Sequence, residues 1–154
     1  MEKITLDDLD YKILKLISND ARISFLEVAR LCSVSGASVH QRVQKMIGNQ
    51  VIVGSEFRLN LNRIGFESCA YIGICIDRED DIDKAIDQLK AVPEVVECHC
   101  TVGSCDLFVK VYARNNVHLF EIIHTWLRPL GEVHSGPVIS YKEAFRRQII
   151  FADE

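Results

Sequence analysis

Apolar residues recur at helical spacing three times within the first fifty positions. Leu9, Ile13, Leu16 and Ile17 fall at i, i+4, i+7 and i+8, which predicts a helix ending near Asn19. Thr5-Leu6-Asp7-Asp8 supplies its start, a hydroxyl to cap and acids in the first turn, and Asn19-Asp20 closes it. Ser24 and Glu27 form an S-x-x-E capping box, each expected to accept the other's backbone N–H. The helix they open carries Leu26, Ala29 and Arg30, with Val28 and Leu31 as further apolar surface. A turn at Cys32-Ser33-Val34 follows, Ser35 is placed to cap a third helix, and Val39, Val43, Met46 and Ile47 repeat the stripe. Val51-Ile52-Val53-Gly54 and Glu56-Phe57-Arg58-Leu59 read as short strands, a wing or the start of a linking ribbon.

The pattern then changes period. Gly65 to Ile76 is a β-rich apolar strand, and Asp80 to Ala91 returns to helical spacing through Ile82, Ala85, Ile86 and Leu89. Val95 to Val102 and Asp106 to Ala113 are two more strands joined through Gly103-Ser104-Cys105. Val117 to Leu127 is an amphipathic helix, and a last extended segment covers Val133 to Tyr141. The order β-α-β-β-α-β predicts a ferredoxin-like sandwich with helices on one face of an antiparallel sheet. Cys69, Tyr71, Gly73 and Cys75 alternate with Ala70, Ile72, Ile74 and Ile76, so both faces of the first strand are apolar. The face without helices therefore needs a cover, most simply an identical subunit. The chain is thus α+β: a helix-turn-helix, winged-helix-like domain at 1–54, a linking strand or linker at 55–64, and the ferredoxin-like domain at 65–154.

Two short helices at this spacing can set the second into the major groove of DNA. The outward face of the third helix offers Ala37, Ser38, Gln41, Arg42 and Lys45, with His40 beside it and Ser35 at its start, and holds no acid. Gln pairs with adenine and Arg with guanine, while Ser or Lys reaches phosphate. Charge agrees with this placement. The net charge of −4 divides unevenly: residues 1–60 hold eight Lys/Arg against seven Asp/Glu, and residues 61–154 ten against fifteen. An acidic second half argues against a sequence-blind nucleic-acid binder, so DNA contact belongs to the first third.

No apolar run approaches the roughly 20 residues needed to span a bilayer, and Met1-Glu2-Lys3 leads into acidic sequence rather than an apolar signal. A cytoplasmic protein with no membrane partner is expected. Its six cysteines are then reduced, and their apolar setting predicts buried thiols acting as small hydrophobes. Cys98 and Cys100 should face one side of a strand and His99 the other, so no metal ligand set converges and no cofactor is expected.

The amino-terminal run resembles the DNA-binding domain of the Lrp/AsnC family, the feast/famine regulatory proteins. Leu6, Asp7, Asp10, Ile13 and Leu14 match its L-D-x-x-D-x-x-I-L helix; Asp20, Arg22 and Ser24 match D-x-R-x-S; Arg42-Val43 and Met46-Ile47 match the end of its recognition helix. The family's turn glycine is replaced by Ser33, at a position that prefers positive φ. The second half resembles the family's effector domain through Val95, Cys98, Val102, Gly103 and Asp106. This resemblance implies an amino-acid pocket at the dimer interface bordered by Gly103, Ser104 and Asp106, with Asp106 accepting from an α-ammonium group. The nearest matches to ligand contacts on the last strand are Ser140 and Tyr141, because the family's T-x-T pair is replaced by His134-Ser135-Gly136-Pro137-Val138. Pro137 removes a ladder donor and predicts an edge or a bulge there.

The resemblance implies a transcriptional regulator: a homodimer, assembling to an octamer, on a pseudo-palindromic operator in double-stranded DNA. The competing reading is a metabolite-binding oligomer whose helical domain serves assembly rather than DNA. Enzyme activity is not expected, since the chain has no nucleophile elbow, P-loop, H-E-x-x-H or dinucleotide fingerprint.

Overall fold

The structure is a computed structural model that describes residues 4–78 and 81–146. The chain separates into two compact units, one running through Arg58 and taking in Arg146, the other Leu59–Phe145.

The first unit is built on three helices: α1 (Asp8–Asn19), α2 (Phe25–Cys32) and α3 (Gly36–Gly48). Its core is Ile13 and Leu14 from α1, Val28 and Ala29 from α2, and Val39, Val43 and Met46 from α3. Asp7, not Thr5, caps α1. Its carboxylate accepts the Asp10 N–H at 2.9 Å while Asp10 accepts the Asp7 N–H at 3.2 Å, a reciprocal box that the hydroxyl of Thr5 is too early in the chain to make. Ser24 accepts the Glu27 N–H at 3.1 Å as expected, but Glu27 does not return the bond; its carboxylate is held by Arg30 at 2.7 and 2.9 Å. The apolar phase also differs at two places. Leu26 is 78% exposed and Ile47 45%, because the α2 and α3 faces are set by Val28-Ala29 and by Val39, Val43 and Met46.

Neither segment read as a strand between 51 and 59 forms one. Val51 and Ile52 instead donate to the Met46 carbonyl at 2.9 and 3.2 Å, tying the exit of α3 to its last turn. Beyond them the backbone has no strand partner among the described residues, and a strand without a partner cannot form a ladder.

The second unit is a four-stranded sheet of β1 (Ser68–Cys75), β2 (Val95–Cys100), β3 (Leu107–Ala113) and β4 (Glu132–Ser140), in the order β2-β3-β1-β4 with every pairing antiparallel. Helices α4 (Ile82–Lys90) and α5 (Asn116–Ile122) complete the expected β-α-β-β-α-β sandwich. Asp80, where the sequence starts the first of these helices, lies outside the described residues. The second continues as a turn of π-helix at Ile123–Leu127, closed by Arg128 N–H on the Ile123 carbonyl at 2.9 Å, rather than as one α-helix. The core lies between helices and sheet: Ala70, Ile72 and Ile74 of β1 and Leu107, Val109 and Val111 of β3 meet Leu89, Leu119, Ile122 and Leu127.

Among the described residues of this unit, no helix covers the other sheet face. Tyr71 and Phe108 stack there at 6.0 Å, beside the buried Lys110 that pairs with Glu97 at 3.1 Å. Desolvation opposes the Lys110 charge, but the Glu97 carboxylate more than offsets it and holds the ammonium above its usual range. On β4, Ser135 and Gly136 take φ of 54° and 77°, and the register against β1 slips between Tyr71 and Gly73. This is the bulge that Pro137 required. Among the described residues no helix is long and apolar enough to cross a membrane.

Candidate functional site

Two surfaces carry the residues singled out in the sequence. On the helical unit, Ser35 caps α3 by accepting the Ser38 N–H at 3.1 Å, and Ser33 ends α2 in the left-handed region at φ 56°. This fixes the entry of α3, whose buried Val39, Val43 and Met46 turn the other side outward. On that side Ala37, His40, Gln41 and Lys45 are exposed and Ser38 is half-buried. His40 meets the ring of Phe25 edge-on at 6.0 Å, so the start of α2 steadies it.

Arg42 departs from the expected placement. Its Nη1 donates to Asp7 at 2.9 and 2.7 Å and to Asp10 at 2.8 Å, so the guanidinium is spent on the carboxylates of the α1 capping box. Lys45 and His40 are left as the basic side chains of the set on the outward side. The partners of Arg42 lie 35 and 32 positions upstream in sequence, a separation no local pattern registers.

On the α/β unit the turn after β2 folds back over the uncovered sheet face at the carboxyl end of β1. Thr101 N–H donates to the Asp106 carbonyl at 2.9 Å and Asp106 N–H to the Ile74 carbonyl at 3.0 Å. The Asp106 carboxylate accepts the Ile76 N–H at 2.7 Å, so one of its oxygens anchors the turn to β1. Three side chains line this turn that the sequence did not nominate. Cys75 Sγ donates to the Ser104 carbonyl at 3.2 Å, and the Thr101 hydroxyl donates to the Cys105 carbonyl at 2.6 Å. Cys105 itself occupies the space above Gly73, where a Cβ would stand 3.0 Å from its Sγ. The signal for Cys105 was present in the strand alternation, which puts a glycine where the other outward positions carry side chains.

Ser140 and Tyr141 are not brought to this turn within one subunit. Ser140 pairs with Cys69, at the opposite end of β1 from Cys75, and Tyr141 is 98% exposed. Six residues of strand separate the two ends, about 20 Å.

The cysteines are all unpaired, and Cys98 and Cys100 do share a side with His99 on the other. They are exposed rather than buried, because β2 is an edge strand, and Cys32, Cys69, Cys75 and Cys105 are half-buried rather than buried. Burial raises the Cys75 thiol above its usual value, with Asp106 adding to the rise, and burial also raises Cys69. Such thiols are held protonated, which disfavours nucleophilic chemistry.

Comparison with known proteins joins the two surfaces. The family model of the AsnC-type helix-turn-helix domain matches residues 6–47, and that of the Lrp/AsnC ligand binding domain matches residues 69–140. The regulatory protein AsnC of Haemophilus influenzae is 32% identical over 145 residues, 94% of this chain and 97% of that protein. The solved structure of E. coli AsnC superposes with a TM-score of 0.84 at 27% identity, covering 95% of this chain and 99% of its own. A feast or famine regulatory protein from M. tuberculosis, solved in complex with L-methionine, shares the fold at a TM-score of 0.87 and 23% identity over 95% and 99% of the two chains. With a helix-turn-helix and a ligand-binding sandwich both matched, and in this order, the chain belongs to the Lrp/AsnC family of DNA-binding transcriptional regulators.

Proposed function

We propose that the chain reads a pseudo-palindromic operator as a homodimer that assembles further to an octamer, and that an amino acid bound at the turn after β2 sets its affinity or assembly. The observation that carries the DNA part is the outward side of α3: Gln41 and Lys45 exposed, Ser38 and Ala37 small enough for close approach, and no acid among them. Gln41 supplies the base contact, a bidentate pair with adenine, and Lys45, Ser35 and Ser38 supply phosphate contacts, with His40 at the edge. Each subunit brings one such helix, so the two half-sites lie about one turn of DNA apart.

For the effector, Asp106 has one oxygen on the Ile76 N–H and offers the other to an α-ammonium group, with open space beside Gly103 for the rest of the ligand. The L-methionine complex of the M. tuberculosis protein supports an amino acid as the ligand class. Ser140, at the far end of β1, and Tyr141, just beyond β4, complete a pocket only if a second subunit supplies them. An effector acts only through different affinities for the assemblies that bind DNA well and badly.

Thermal-shift screening with the twenty amino acids, followed by binding to a selected duplex with and without the hit, tests this reading. A hit that raises the melting temperature and changes DNA affinity or oligomer size supports it. An amino acid that binds while no duplex is selected favours the metabolite-binding alternative.

A further inference from the structure

We infer that Arg42 acts as a positioning residue, a clamp that sets the recognition helix against the first turn of α1, rather than as a reader of bases. The inference rests on the DNA-binding reading of α3 proposed above. A single nitrogen, Nη1, meets three carboxylate oxygens: Asp7 Oδ1 at 2.9 Å, Asp7 Oδ2 at 2.7 Å and Asp10 Oδ1 at 2.8 Å. These carboxylates also make the reciprocal capping box of α1, so the first turn of that helix and the middle of α3 share one network. Asp10 is buried at 9% exposure, and a carboxylate taken out of water needs a partner inside the unit. Arg42 is that partner. Its own side chain is 30% exposed, and the next residue, Val43, is packed in the core at 4%.

The geometry has a consequence for recognition. A helix packed on Val39, Val43 and Met46 alone is free to roll about its axis by small amounts, since apolar contact is non-directional. Charge-assisted hydrogen bonds add direction. With Arg42 pinned to α1, Gln41 on one side of it and Lys45 one turn on are presented at a fixed angle. Losing the pin therefore weakens DNA binding although no DNA contact is lost.

The test is a sign. Asn retains N-cap capacity, so Asp7→Asn with Asp10→Asn removes the two charges while the cap of α1 persists. Affinity is measured on the duplex that the wild-type chain enriches from a randomised pool, across a series of salt concentrations. The clamp predicts that D7N/D10N binds about tenfold more weakly, that Arg42→Met weakens binding by a similar factor, and that combining them adds little. It also predicts that the slope of log affinity against log salt stays at the wild-type value in every variant. Tighter binding by D7N/D10N would mean that the acids mask an arginine meant for DNA, and would overturn the inference. So would unchanged affinity in that variant, or a salt slope lowered by about one per subunit in R42M, the mark of a lost phosphate contact. If R42M fails to fold, the direction of change in D7N/D10N still decides. A wild-type chain that enriches no duplex contradicts the DNA-binding reading itself, an outcome distinct from all of these.

Discussion

Ser33 and Asp7 show how much a single position sets. Ser33 closes α2 at φ 56°, a conformation that costs an L-residue about 1 kcal/mol and glycine almost nothing. Ser33→Gly should therefore raise stability by about 0.5–1 kcal/mol in urea unfolding; a lower midpoint would mean that the hydroxyl matters more than the backbone. At Asp7, the hydrogen bond from Arg42, helped by the Asp10 backbone, holds the carboxyl below its ordinary value of 3.8. The ionised form is thus favoured in the folded state, so this stabilisation is complete above that ordinary value and is lost as pH falls through the lowered one. The groups facing it are Asp10 from its own helix and Arg42 from α3. Arg42→Met should melt earlier than wild type at neutral pH, and the gap should narrow as pH falls below the ordinary value and through the lowered one. A gap constant with pH would place the loss in packing instead. Ser33 and the caps at Ser24 and Ser35 were legible in sequence because capping is local. The Arg42 clamp was not, because its partners come from another helix more than thirty positions away.

Elements were legible where their own periodicity decides them. All three helices of the first unit and all four strands of the second appear where the pattern put them, to within a few residues. The failures are of two physical kinds. Helical spacing does not fix which apolar side chains a helix buries, so Leu26 and Ile47 ended outside. A strand is a pairing rather than a propensity, so no strand forms over residues 51–59, and Val53, Phe57 and Leu59 remain exposed. Close approaches between elements were also hidden. A Cβ on Gly131, just ahead of β4, would stand 2.1 Å from the Cys75 carbonyl oxygen. Gly131→Ala should cost about 2–3 kcal/mol, since the backbone of β1 has to move. A stability change within about 0.5 kcal/mol, the range of a surface substitution, would show that the two strands can separate there cheaply.

At the scale of the molecule, the element order was enough to give the sandwich, and the uncovered face followed from the double-sided apolar character of β1. The proposed effector site was legible only in part. Gly103, Ser104 and Asp106 do form one turn, yet Ser140 lies at the far end of β1, and no sequence pattern reports which end of a strand a residue will share with another. The second subunit proposed above would cover the Tyr71–Phe108 face, where Phe108 is 37% exposed. Phe108→Arg should then shift the oligomer to a smaller species by light scattering while leaving the far-ultraviolet circular dichroism intact. An unchanged mass would move the interface elsewhere. If a dimer reads DNA through paired α3 helices, as proposed, selection from a randomised duplex pool should enrich an imperfect palindrome with half-sites about ten base pairs apart. Gln41→Ala should weaken binding to it; recovery of no sequence preference, or of one without two-fold symmetry, would overturn that reading.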